Sequence, residues 1–301
     1  MDVDHVACVL AIPSKRGVVY GSAMSDQENE NTPDRTLRQD LTADWFGDGE
    51  DRARLDPVST ARAALKPQLP KRFYREARIE ARAEGHVLLL DGRVAMTKLR
   101  RPLAGENAAL GAMLAEEWGA QGEQITPATM PITRILHAAI DHVADAAEEV
   151  RADIVKYAGS DLVCYRAPEP ERLVERQSAL WDPVLRHIEV RHGGRFILSE
   201  GIRFVEQPAE AIEGIRRAVN AVTSPAALAA LHVLTTLSGS ALIALAVADG
   251  LLDAEAGFDA GEVDADFETE IWGEDDEATE RRRFRLADFA AATRIIRALA
   301  D

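Results

Sequence analysis

From Ala218 to Glu280 the chain has neither lysine nor arginine, and the stretch falls into two unlike halves. As far as Ala248 it carries no charged residue at all, which reads as an apolar helix buried on every side. From Asp253 to Glu280 there are thirteen Asp or Glu, with Trp272-Gly273 set among them. An apolar helix followed by an acid-rich, aromatic-bearing segment is a poor start for a catalytic site. It suits a surface that meets another protein.

At 301 residues the chain can bury a real core and hold two domains. Aromatics are only 5%, and alanine, leucine, arginine and glutamate are strong helix formers, so helix is favoured over sheet for most of the length. A net charge of −16 argues against a nucleic-acid binder, which needs basic surface to displace counterions. It argues equally against peripheral binding to anionic lipid. Cys8 and Cys164 are too few and too far apart for a disulfide framework, which points to a reducing compartment.

Residues 1–23 place acids before their short apolar patch, Val6–Ile12, and Lys15-Arg16 after it, the reverse of a secretory signal. Residues 1–56 hold twelve acids, too many for a mitochondrial presequence. Met24 opens a more ordinary start, so residues 1–23 read equally well as a mis-assigned beginning. Residues 1–66 are expected to be a disordered acidic arm, with Trp45-Phe46 its one sticky point.

Pro225–Ala248 is long enough to span a bilayer. Against a span, eight of its 24 residues are alanine, and His232, Thr235, Thr236, Ser238, Gly239 and Ser240 crowd its middle. Ser224 before Pro225 is a good helix start and Gly250 a good stop, so a single buried helix over Pro225–Asp249 is expected. Ser238-Gly239-Ser240 then reads as small residues for close helix packing.

The predicted fold class is α+β: a small N-terminal α/β module with an antiparallel sheet, residues 67–131, then a larger all-α domain, residues 132–301. Phe73–Glu80 alternates as a half-buried strand, His86–Leu90 is a second, and Asp91-Gly92 is a hairpin turn from which Val94–Lys98 returns. A helix is expected over Glu106–Gln121. Further helices are expected over Thr133–Tyr157 with an interruption near Asp145, then over Pro168–His192, Ala209–Ala221 and Ala278–Leu299. Phe196–Leu198 reads as a lone strand.

No glycine loop with lysine for phosphate is present, and no dinucleotide fingerprint. His137 and His142 are five apart and do not share a helix face as zinc ligands would; His137 and Asp141 are four apart, which a local hydrogen bond explains. Asp264, Asp266, Glu268 and Glu270 alternate, but the glycine and distant glutamate of a calcium loop are missing. On a helix these acids fan out as a solvated face or form a partner-binding surface. Trp118, Trp181 and Trp272 each stand beside charges, and packing is the ordinary role for each. The neighbours of Trp272 are so charged that it cannot sit deep unless its segment folds back.

Short motifs add a resemblance. Arg72-Phe73-Tyr74, Leu89-Leu90-Asp91-Gly92-Arg93 and Arg101-Pro102-Leu103 begin the set. Glu117-Trp118-Gly119-Ala120-Gln121-Gly122, Met130-Pro131-Ile132-Thr133-Arg134 and Asp161-Leu162 follow, with Cys164-Tyr165-Arg166, Gln177 and Trp181-Asp182-Pro183. Glu200-Gly201-Ile202, Leu237-Ser238-Gly239-Ser240 and Trp272-Gly273-Glu274-Asp275 close it. In this order, from about Lys71 to Leu299, they resemble the assembly chaperones of the F-type ATP synthase catalytic head, which hold the unassembled alpha subunit. His137-Ala138, Arg203-Phe204 and Lys98 depart from the family pattern in loops and packing.

The resemblance implies a molecular chaperone that is no enzyme and has no cofactor or metal. Its partner would be the alpha subunit, kept from aggregating until beta subunits replace the chaperone. Glu270, Trp272, Glu274 and Asp275 are the expected partner contacts, the acids steering and Trp272 anchoring. Trp118, Met130, Pro131 and Trp181 are the expected structural residues between and within the domains. A cytoplasmic bacterial monomer without stable membrane insertion is the expected setting, with the mitochondrial matrix as the alternative. The rival from another class is an acid-rich hydrolase or metal-dependent enzyme using Glu270 with His232.

Overall fold

A computed structural model of the chain describes residues 69–201, 203–273 and 275–300. The expected arm, its possible mis-assigned start, Cys8, Trp45-Phe46 and Glu274 lie outside them. Residues from Leu69 onward belong to one unit. It begins with the expected antiparallel sheet. Strand β1 (Ala77–Arg82) pairs with β2 (Gly85–Leu90), and β2 also pairs with β3 (Arg93–Val94) and β4 (Ala104–Gly105). The fold class is α+β, as read from the sequence.

The predicted strand at Phe73–Glu80 is shifted: the ladder starts only at Ala77. Asp91 explains the delay. Its carboxylate accepts from Arg75 N at 3.0 Å and Glu76 N at 2.9 Å, so that stretch is bonded to a turn rather than to a strand. These backbone bonds hold the Asp91 carboxyl below its usual range. The turn itself is the expected two-residue hairpin, with Asp91 and Gly92 at φ 48° and 78°, the mirror-image geometry that matches strand twist. The return strand is shorter than Val94–Lys98, because after Val94 only Met96 makes a bridge, to Pro102.

Helix α1 (Ala108–Gly119) lies across the sheet and buries Leu110, Leu114 and Trp118. Asn107 caps it, accepting from Leu110 N at 3.0 Å. Helix α2 (Pro131–Ala138) runs into a π-helical turn (Ala139–Val143), and the expected break near Asp145 precedes α3 (Ala147–Gly159). Strand β5 (Tyr165–Arg166) and α4 (Glu171–His192) follow. Strand β6 (Ser199–Glu200) is not alone, and it lies just beyond the predicted Phe196–Leu198: it pairs in parallel with β5. Phe196 is instead buried as a plug while Ile197 and Leu198 face solvent. Helix α5 (Ala209–Asn220) completes this part.

The apolar stretch is not one helix. It is α6 (Pro225–Ser238) and α7 (Ala241–Ala248), broken at Gly239, whose φ of 71° is left-handed and suits glycine. Among the described residues no helix is long and apolar enough to cross a membrane. Helix α7 is buried along nearly its whole length and α6 has no exposed residue, with α3, α8 (Ala254–Trp272) and α9 (Asp276–Ala300) packed on α6. Helix α8 was not foreseen, since its acids obscured the apolar face carrying Phe258, Val263 and Phe267. The small residues do serve close packing, at one point: a Cβ on Gly261 of α8 would lie 2.8 Å from Ser238 Cα.

Breaking a helix inside a core leaves the first N–H groups of the second piece without water. Ser240 caps α7 through Ile243 N at 3.0 Å. Asp161, fully buried, completes the arrangement: it accepts from Ser240 Oγ, Leu242 N at 3.1 Å and Val163 N at 3.3 Å. Burial pushes its carboxyl up to about 6 from 3.8, against the pull of these donors. Protonation therefore favours the folded state. The stability that this group contributes is complete below pH 3.8 and is lost as the pH rises through about 6. In urea unfolding across that window, wild type should show this fall and Asp161→Asn should lack it. At neutral pH, Asp161→Ala should cost about 3 kcal/mol, because several buried donors lose their acceptor.

Candidate protein-binding site

The acid-rich segment forms the C-terminal end of α8 and the start of α9. Trp272 is 84% exposed and Ile271 beside it 56%, so an indole and a branched aliphatic chain stand together in water. The packing role does not apply to Trp272. Its base is rigid. Glu270 accepts from Arg176 at 2.7 and 3.1 Å and from Arg172 at 2.8 Å, both on α4, and the same two arginines lie over the Phe267 ring at 5.6 and 5.9 Å. The Arg176 hydrogen bonds, foremost, hold the Glu270 carboxyl below its usual range. Glu270 thus ties α8 to α4, two residues before the exposed indole.

Asp275 accepts from Ala278 N at 3.2 Å and caps α9, with Asp276 and Glu277 in the first turn where the helix dipole favours acids. Arg281 pairs with Glu277 at 2.9 Å and Arg283 with Glu280 at 2.8 Å, so cations begin where the acids end. The alternating acids fan around α8 as a helix requires, but three of them are bonded within the molecule. Asp264 accepts from Gln177 at 2.7 Å, Asp266 pairs with Arg282 at 2.9 Å and Glu270 pairs with α4. Only Glu268 of the four matches a purely solvated face.

The other two described tryptophans are interior. Trp181 is fully buried, donates from Nε1 to Ala260 O at 2.7 Å and carries Arg166 over its ring. Trp118 donates to Thr133 Oγ1 at 3.1 Å, and Tyr74 Oη donates to Trp118 O at 2.7 Å. Next to it, Glu117 accepts from Ile132 N at 2.7 Å and Thr133 N at 2.8 Å, serving as the cap that α2 lacks, while burial raises its carboxyl against those bonds. Pro131 opens α2 and Met130 before it is buried. One hydrophobic cluster runs from Tyr74 and Leu88 of the sheet side through these residues to Ile296 of α9.

The residues of the enzymatic alternative are not brought together by any shared contact. His232 pairs with Asp153 of α3 at 3.0 Å, while Glu270 pairs with α4. Cys164 is buried, and burial pushes its thiol well up, away from a reactive thiolate. His137 is half-buried, its titration lowered chiefly by burial. Among the described residues no group of three or more His, Cys, Asp or Glu is placed to hold a metal ion. A cleft of about 350 Å³ lies between α4, α5, α6 and α7, lined mainly by alanine, valine and leucine with Arg191, His192 and Asp249. Asp249 Oδ2 is shared by His187 at 2.9 Å and His192 at 2.7 Å. Sequence reasoning missed this trio, which no local spacing signals.

Residues 71–189 match the model of the ATP12 chaperone protein. A solved structure from Agrobacterium tumefaciens, described as a chaperone candidate, is 42% identical with a TM-score of 0.74, covering 82% of this chain and 92% of that one. Atp12 from Paracoccus denitrificans is 35% identical with a TM-score of 0.70, over 76% of this chain and 97% of that one. The chain belongs to the ATP12 chaperone family. A mutant form of the Paracoccus protein matches at 34% identity over the same share. Among the described residues the buried carboxylates are all committed as acceptors, and the most exposed aromatic residue stands on a braced tip.

The two kinds of tryptophan should separate in experiment. Trp181→Ala should cost about 3–5 kcal/mol in thermal or urea unfolding, since a buried ring is removed. Trp272→Ala should shift stability by less than about 0.5 kcal/mol, as surface substitutions do. Acrylamide should quench the Trp272 emission in the folded protein and spare Trp181.

Proposed function

We propose that the protein is a bacterial assembly chaperone that binds the unassembled alpha subunit of the F-type ATP synthase catalytic head. It covers an apolar face of that subunit against aggregation until beta subunits replace it. It acts by binding alone, in the cytoplasm. Membership of the ATP12 chaperone family supports the general role. The observation that carries the site is Trp272, 84% exposed at a helix end that Glu270 and two arginines brace.

An exposed indole on a rigid base suits an anchor, because little freedom is lost when it enters a pocket on the client. The surrounding acids orient the approach, and their charge makes encounter depend on salt. Glu270 contributes by holding the tip; its carboxylate is already engaged by Arg172 and Arg176. Glu274 and Asp275 complete the proposed contact with Trp272.

The reading is tested by isolating the tagged chain from cells and measuring the two catalytic-head subunits that accompany it. Alpha should be enriched over beta, and equal or reversed enrichment would remove the assignment. With purified alpha subunit, Trp272→Ala should weaken binding roughly thirtyfold, the effect of losing about 2 kcal/mol at one anchor. Glu270→Gln should weaken it less, with the loss confined to the angle at which the tip is held.

A further inference from the structure

The surface holds a second projection, far along the chain from the first and opposite in charge. Between β3 and β4 the backbone makes a narrow loop: Thr97 N donates to Arg101 O at 2.8 Å, and Arg100 N donates to Thr97 O at 3.0 Å. At its end Lys98, Leu99 and Arg100 are all exposed; Leu99 is 56% exposed and Met96, at the loop's side, 47%. Arg100 has a φ of 57°, a left-handed conformation that a non-glycine residue keeps only when its surroundings impose it.

The loop is gripped from beneath by the π-helical turn after α2. Asp141, only 4% exposed, accepts from Thr97 Oγ1 at 2.6 Å and from Leu99 N at 3.2 Å. Arg101 donates to Ile140 O and pairs with Asp145 at 2.6 Å. The wider π turn places Ile140, Asp141 and Asp145 where they reach the loop, and such turns concentrate at working sites. Burying a carboxylate is costly unless it is hydrogen-bonded, and here its bonds go to the base of a loop whose end faces water. A plain connection between two short strands needs no such grip. A loop that must present Leu99 in one orientation does, since ordering it beforehand removes that cost from binding.

We propose that the Lys98-Leu99-Arg100 loop is a second docking point for the protein client, seating Leu99 in an apolar socket rimmed by acidic side chains. Charge complementarity identifies the occupant. In a chain of net charge −16, this loop sets a cation on each side of an exposed apolar residue, so an acidic rim attracts it. The acid-rich Trp272 tip is drawn to a surface of the other sign. Two contacts of opposite character fix how the client lies, where one alone would leave it free to pivot. The same net charge turns away nucleic acid and anionic lipid as occupants. The inference rests on the reading above only in taking the client to be the one that meets Trp272.

The test places a photo-crosslinking phenylalanine at Leu99, and separately at Trp272, in the full chain in cells. Both positions should capture the same protein, and the peptide joined at position 99 should combine Asp or Glu with apolar residues. With that protein purified, Arg100→Glu should weaken binding about fivefold at low salt and flatten its salt dependence, with thermal unfolding unchanged. Capture from position 272 but not 99, or full affinity in the charge-reversed variant, overturns the docking point and leaves the proposed function standing. Capture of a protein other than the alpha subunit at both positions, with an acidic peptide and the same charge dependence, supports the docking point and removes the alpha-subunit assignment. Lipid, nucleic acid or a basic peptide at position 99 overturns the proposal, and capture at neither position overturns both.

Discussion

Asp161 is fully buried, and three donors from two distant parts of the chain converge on it. That convergence is what allows the apolar stretch after Pro225 to turn a corner inside the protein. Without an acceptor there, the start of α7 would leave buried N–H groups unmet, and each would cost free energy comparable to a lost hydrogen bond. With it, α6 and α7 lie at the centre and α3, α8 and α9 have something to pack against. Glu117 does the same for α2, and Asp141 for the loop after β3. The frame is held by acids turned inward onto backbone and hydroxyl donors.

This arrangement bears on function. A catalytic carboxylate needs freedom to exchange protons with a substrate, whereas Asp161, Glu117 and Asp141 are saturated by donors from their own chain. Cys164 is sealed in the same core. Among the side chains that the frame leaves facing outward are two braced projections: an indole among acids at the end of α8, and a leucine among cations between β3 and β4. Such limited contacts suit a reversible protein interface, since a few anchors supply affinity and charged rims supply direction.

The residues that carried the family resemblance are mostly the joints of this frame. Asp91 meets Arg75 and Glu76, Glu117 meets Thr133, Asp161 meets Ser240, and Trp181 meets Ala260. Asp161 with Ser240 and Trp181 with Ala260 join parts of the sequence that lie far apart. Inside the core, replacing the side chain of Asp161, Ser240 or Trp181 strands a buried polar group. The exposed tips obey no such demand. Trp272 was legible through the charge around it, while Leu99 was not, because one leucine in a short connection has no distinguishing pattern. Helix α8 was hidden for a related reason: its acids pair with Arg172, Arg176 and Arg282, arginines supplied by other helices.

Composition and local pattern by themselves determined the α+β class, the Asp91-Gly92 hairpin, the span of most helices and the interior fate of the uncharged stretch. Each of those depends on neighbours within a few residues: turn dihedrals, helix caps and the period of apolar side chains. Only the tertiary structure decided that the uncharged stretch breaks at Gly239, that Glu270 serves as a brace, and that a buried Asp141 grips a solvent-facing loop. The reason is the reach of the interactions. Hydrogen bonds and ion pairs between residues tens of positions apart depend on where the elements pack, and no spacing along the chain encodes that.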